Sequence, residues 1–278
     1  VTELVIVGGL TIDRFADGST APGGTVIHAG HAAAAEGVRP SFLTIAGDEP
    51  EAEAGLDQLA GMGELARRFS PATTTFGHAD HAGARVLTLL CRSAPIAPPF
   101  PPGTADCALL APIADELPAS VIEPLTAALQ PRLTVLLIQG WLRRLAVGSV
   151  VEPLTLDEID RATWATFGRA DAVVVSTEDL AESHGSPFAQ AALLRHRIGN
   201  GPLLVLTLGA QGHLLDDPAA DRVVASVPRR VVSGVPMVGA GDTFGATLAI
   251  HLSRGAAAAA AVAAATDRVI ATLEARRS

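Results

Sequence analysis

A doubly wound α/β domain on a mostly parallel sheet is the fold this sequence predicts. Short apolar runs alternate with helix-like segments almost to the C-terminus, as in a succession of β-α-β units. The runs are continuously apolar, which is the pattern of strands covered by helices on both faces. Size is the third observation: 278 residues, 49% hydrophobic and with mean hydropathy +0.36, suffice for a large core. No repeat of solenoid period is present.

In chain order, Leu4–Gly8 predicts the first strand and Thr25–Glu36 the first helix, followed by strand Ser41–Ile45 and helix Glu49–Leu59. Two stretches break this alternation. Phe15–Gly24 is a Gly/Pro/Ser/Asp loop. Arg68–Arg92 holds the Thr73–Phe76 strand, a His-rich turn and the strand Arg85–Cys91, which together predict a hairpin outside the main sheet. The expectation is one domain over residues 1–278 with a small β lid formed by about 15–24 and 68–92. Ser93–Gly103 is dense in proline and predicts an extended crossing back to the core. Strands Cys107–Ala111, Leu133–Ile138, Ala172–Ser176, Leu203–Leu208 and Arg222–Val227 then interleave with helices Ser120–Leu129, Leu156–Phe167 and Phe188–Arg197. Helices Asp242–Ser253 and Ala256–Leu273 complete the pattern.

Composition excludes several functions. No apolar run reaches the ~20 residues of a bilayer span. Gly255–Ala265 comes nearest, but it is mostly alanine and runs into Thr-Asp-Arg, as a packed helix would. The chain enters a strand at once, with no basic stretch and cleavage site, so a cytoplasmic protein is expected. Net charge is −9, pI is about 5.3, and no basic run exceeds Arg-Arg, which argues against a nucleic-acid or membrane partner. Cys91 and Cys107 stand alone in strand-like contexts and read as buried, reduced thiols. All 20 basic residues are arginine. Without lysine there is no Walker A loop, no Schiff-base chemistry and no protein-kinase strand lysine. Phosphate chemistry here would have to use backbone amides, arginine and metal.

The stretch most informative about chemistry is VPMVGAGDTFGATLA at 235–249. Gly239, Ala240 and Gly241 allow backbone amides to crowd onto an anion at a helix N-terminus, and Asp242 closes the turn where a general base would meet a hydroxyl. Asp13 follows the first strand at the edge where α/β sheets place ligands, and it equally suits a turn cap. The strand's glycines lack the G-x-G-x-x-G spacing, which disfavours an NAD enzyme. Gly23-Gly24 opens a helix carrying His28 and His31 at i, i+3, a spacing repeated by His78 and His81. No carboxylate or Cys completes either pair at recognised metal-site spacing. Arg143-Arg144 after a buried strand could clamp a phosphoryl group or form a solvated surface pair. Ser176 and Asp179 suit a helix N-cap, and also the waters of a Mg²⁺ ion. Thr207, Gly209 and Gly212 form a strand-end turn that a phosphate donor could approach.

These pieces arrive in the order and over nearly the full length of the ribokinase/PfkB carbohydrate kinase family, which the chain resembles. The family commonly ends in D-T-x-G-A-G-D; here Pro236 and Met237 stand where Asp and Thr are common, and Val238 precedes the glycine. His28 occupies the place of an Asn that usually meets the sugar, Ser176 and Asp179 fill the family's N-x-x-E, and TIAGDE at Thr44–Glu49 matches its next strand end. QGWLR at 139–143, TTTF at 73–76 and LAPIADELP at 110–118 are similar to a short-lid subgroup related to myo-inositol kinases. The resemblance implies an ATP- and Mg²⁺-dependent kinase acting on an alcohol of a small polyol, sugar or nucleoside, with a homodimer left open. Asp242 would be the base, the Gly239–Asp242 amides the anion hole, and Thr207, Gly209 and Gly212 the ATP turn. Asp13, Gly23, Gly24, His28, Arg85 and Glu116 would meet the acceptor. Arg143 would face the reacting groups and Asp179 would help organise the metal. The rival reading is a silent ligand-binding protein on a kinase scaffold. It rests on the altered residues before Gly239 and in N-x-x-E, and the retained Asp242 opposes it.

Overall fold

The computed structural model describes residues 2–81, 84–181 and 185–277, except the side chains of residues 80, 81, 84 and 85. The strands are β1 (Leu4–Gly9), β2 (Thr11–Phe15), β3 (Thr20–Gly23), β4 (Ser41–Ala46), β5 (Glu64–Phe69), β6 (Thr74–His81), β7 (Ala84–Cys91), β8 (Cys107–Leu110), β9 (Thr134–Leu137), β10 (Arg143–Arg144), β11 (Glu152–Pro153), β12 (Ala172–Ser176), β13 (Leu203–Thr207), β14 (His213–Asp217) and β15 (Arg222–Ser226). The helices are α1 (Thr25–Ala35), α2 (Pro50–Met62), α3 (Ile122–Leu129), α4 (Arg161–Phe167), α5 (Pro187–Ile198), α6 (Ala240–Ser253) and α7 (Ala258–Ala275). No helix among the described residues is long and apolar enough to cross a membrane.

Nine strands form the central sheet in the order β15-β14-β13-β12-β9-β8-β1-β4-β5, all running the same way except β14, which is antiparallel to both of its neighbours. Successive residues of β1 serve opposite faces. Leu4 and Ile6 pack with α1, α2, α6 and α7, while Val7 packs with α3, α4 and α5. Burial on both faces is why these strands read as unbroken apolar runs. From β1 the chain builds outward first through β4 and β5, then in the other direction through β8, β9, β12 and β13. The crossovers therefore diverge between β1 and β8, where an α/β sheet opens a crevice at its carboxyl ends.

A second sheet of four strands, β3-β2-β6-β7, stands apart from the first. It begins at Thr11, earlier than the predicted loop, and Phe15–Gly24 includes the strand β3 paired antiparallel to β2. Arg68 and Phe69 belong to β5 at the edge of the central sheet, not to the hairpin. Two further expectations need correction. The helix predicted from Leu156 starts at Arg161, because Asp160 accepts from the Thr163 amide at 2.9 Å and caps it there. The final helix starts at Ala258 rather than Ala256.

Candidate functional site

Each predicted site segment follows the carboxyl end of a parallel strand or opens a helix. β1 leads through Leu10 into Asp13 of β2, β9 into Gln139 and Arg143, β12 into Ser176–Asp179, and β13 into Thr207–Gly212. These segments, with the starts of α1 and α6, line one cavity of about 550 Å³. That volume is within the range of small-molecule sites, and the cavity lies at the divergence of the crossovers.

Its floor is the start of α6. Gly239 is the N-cap in a left-handed conformation (φ 75°), and the His28 ring lies against it so closely that a Cβ there would come 2.5 Å from Nδ1. Only glycine satisfies both constraints. The Ala240 amide is bonded to the Met237 carbonyl, and the Thr243 amide to Gly239. Asp242 keeps partial exposure inside the cavity, although protein closes around it. Burial raises its pKa, opposed by His28, a hydrogen bond with Thr25 and the charge of Arg143, while Asp179 pushes it further up.

Asp179 is enclosed as well. Burial raises its pKa against the pull of Arg143, of Gln139 (Nε2 donating to Oδ1, 2.8 Å) and of the Ser176 amide (3.3 Å to Oδ2). The Ser176 hydroxyl accepts from the Glu178 amide, so the segment is a capping box that also faces the cavity. Arg143 donates to the Ile113 carbonyl at 3.3 Å and acts on both carboxylates. Two acids held around one guanidinium can differ in protonation state, the condition that acid–base work needs.

At the other end, Asp13 is 8% exposed, and its Oδ1 lies 3.1 Å from His78 Nε2. The sequence offered no carboxylate partner for His78, because the pairing comes from β2 lying beside β6, with Phe15 opposite His78 in register. Thr11, Phe76 and Leu87 complete this wall. Gly24, Thr25 and His28 line the cavity. Gly23 does not line it but backs onto Asp13, with room for a Cβ only 2.6 Å from Oδ2. His31, the other member of the His28–His31 pair, is exposed. Among the described residues no three His, Cys, Asp or Glu side chains form a metal cluster.

Thr207, Gly209 and Gly212 all line the opposite side, where the Thr207 hydroxyl reaches the Val175 carbonyl at 3.4 Å. Beyond them, Val232, Val235, Val269, Ile270 and Leu273 form an apolar slot between residues 228–238 and α7. Glu116 departs from expectation. It is fully buried and does not line the cavity. Its carboxylate accepts from Gly9 (2.8 Å), Ile113 (2.7 Å) and Ala114 (2.7 Å), bridging the ends of β1 and β8. Burial raises its pKa and these amides oppose the rise. Its oxygens are committed to backbone, so it shapes the crevice rather than meeting a ligand. The expectation for Arg85 falls on a side chain outside the described residues. Of the residues that the sequence did not assign to the site, His78, Gln139 and Thr25 matter most here.

No family model and no curated protein matches the chain. Solved structures do. A structure described as a pyrophosphate-dependent kinase in the ribokinase family, complexed with a pyrophosphate analog and myo-inositol, superposes with TM-score 0.76 at 16% identity, covering 98% of this chain and 95% of that one. The Arabidopsis thaliana ribokinase complexed with ribose and ATP gives 0.69 at 16% identity, covering 97% and 91%. The apo fructokinase of Vibrio cholerae gives 0.70 at 21%, covering 99% of both chains. The molecule is thus a mixed α/β protein whose cavity opens at the carboxyl ends of a largely parallel sheet. More particularly, its fold is ribokinase-like over essentially the whole chain.

Proposed function

We propose that the protein is a kinase that transfers a phosphoryl group to a hydroxyl of a small polyol, sugar or nucleoside. The observation that carries this reading is the placement of Asp242. It stands at the amide-rich start of α6 and faces the same cavity as Asp13. Asp13, His78 and Thr11 offer hydrogen-bonding groups to a polyhydroxylated acceptor, with Phe76 and Leu87 against its carbon face. An acceptor hydroxyl presented to Asp242 gives its proton to the carboxylate as its oxygen bonds to phosphorus. The P–O bond to the donor's remaining phosphate breaks with its electrons on that oxygen. The amides of Gly239, Gly241 and Asp242, with Arg143, receive the charge on the transferring group, the Ala240 amide being bonded to Met237. The four-stranded sheet would act as the lid over the acceptor.

ATP is the donor we favour, because the apolar slot beside the glycine turn suits a nucleoside base. Pyrophosphate is the second reading, favoured by the pyrophosphate-dependent kinase that superposes on this chain. Both oxygens of Asp179 already accept hydrogen bonds, and no metal cluster surrounds it among the described residues. These residues fit a Mg²⁺ ion held mainly by donor phosphates and water, with Asp179 reaching those waters; when bound, the ion supplies charge neutralisation. The test is a turnover screen of inositols, pentoses, hexoses and nucleosides with ATP and with pyrophosphate, with and without chelator. Turnover of a polyol or sugar that stops with chelator supports the reading. Binding of an acceptor with no turnover from either donor would establish the silent binding protein instead.

A further inference from the structure

Residues 228–236 form much of the slot's outer wall, yet among the described residues their backbone makes no backbone–backbone hydrogen bond. Three arginine contacts tie the surrounding segment to the last helix. Arg229 pairs with Asp267 (2.9 Å), Arg230 pairs with Glu274, and Arg276, at the C-cap of α7, reaches back to the loop. The first two are exposed ion pairs of the kind that contribute little. Arg276 differs in its target: one nitrogen, Nη1, donates to the carbonyls of both Pro236 (2.7 Å) and Val238 (2.8 Å). Val238 directly precedes the Gly239 N-cap. Pro236 has no N–H, and Met237 and Val238 carry no polar side chain; within the turn the Ala240 amide holds the Met237 carbonyl, and the Pro236 and Val238 carbonyls are held by Arg276.

We infer that Arg276 is a positioning residue. By gripping these two carbonyls through charge-assisted hydrogen bonds, it fixes the peptide planes entering α6 and hence the direction of the Gly239–Asp242 amides. It stands where Pro-Met-Val ahead of the glycine turn supplies no side-chain brace. The catalytic part of this inference rests on the kinase reading above; the structural part does not.

The test compares wild type, Arg276→Ala and Arg276→Lys by amide hydrogen exchange and by steady-state kinetics. Arg276→Ala should speed exchange at Ala240 and Thr243 by about ten-fold while leaving β12 and β13 unchanged. It should also lower kcat by about ten-fold, with acceptor KM within about two-fold of wild type. Arg276→Lys, which keeps a cation within reach, should recover most of both. Unchanged exchange at Ala240 and Thr243 overturns the inference, as does faster exchange throughout the protein or faster local exchange with wild-type kcat. If wild type turns over nothing, the kinase reading fails while the exchange arm still decides what Arg276 does.

Discussion

The two walls of the cavity are built differently. On the acceptor side, Asp13, Phe76 and His78 stand on paired strands, β2 and β6, whose backbones hold one another in register from Thr11–Thr74 to Phe15–His78. On the donor side, residues 228–238 have no such ladder and depend on arginines spanning to and from the end of the chain. Backbone pairing is short-range, plentiful and tolerant of side-chain change, whereas a loop held by a few side chains fails when one of them is lost. Substitutions on the acceptor wall should therefore remove one interaction and leave its geometry intact, while those at the donor turn should spread.

The largest effect is expected at the junction of the walls. Asp242→Asn keeps the shape at the helix start and removes proton acceptance, so kcat should fall by roughly 10²–10⁴-fold with donor Kd little changed, measured by single-turnover kinetics and calorimetry. Wild-type kcat in this variant would make Asp242 a mere helix-start residue and dissolve the comparison. Next, Asp13→Ala should weaken acceptor binding by about 1–3 kcal/mol, roughly 5- to 150-fold in acceptor KM, without altering donor KM. A change in both would mean that the acceptor wall is not independent. Gly239→Ala sharpens the contrast, because the new methyl meets a positive φ and the His28 ring together. Left-handed strain of about 1–2 kcal/mol per residue suggests a loss of about ten-fold in kcat/KM for both substrates, read from paired titrations. The smallest effect concerns pH. As the proposed base, Asp242 would act only when ionised, and burial raises its pKa, so activity should fall with acidification through a limb above the ordinary aspartate range. Asp179→Asn removes a like charge and should move that limb to lower pH, though by less than burial raised it. A limb that stays put in a kcat/KM profile would show that the two carboxylates do not communicate.

The sequence made the inner sheet legible because its strands are apolar throughout, and β12 occurs over the very residues expected, Ala172–Ser176. β5, ELARRF, was not read as a strand. It lies at the sheet edge with only partial burial, so no apolar run marks it. β14, HLLDD, and the short β2 and β3 were hidden likewise by polar, glycine and proline residues whose pairing is set by neighbours far along the chain. In the site, residues carried by local motifs proved readable: Gly239–Asp242, Thr207, Gly209, Gly212, Gly24 and His28 all line the cavity. Residues whose meaning depends on tertiary partners did not. Nothing near Glu116 in sequence announces that Gly9 will bring it an amide from 107 residues away, and nothing near His78 announces Asp13.

The packing of α1 against α6 has an electrostatic consequence. Both helices begin at the cavity, so two positive helix ends converge inside a chain of net charge −9. At a distance the net charge repels anions; near the cavity floor the two helix N-termini, together with Arg143, oppose that repulsion. On the proposed function, a phosphorylated donor would have to cross an outer barrier that a neutral acceptor would not meet. Added salt, by screening the outer field more than the enclosed one, should speed capture of the donor, opposite to the behaviour of a protein that draws in its anionic ligand from afar.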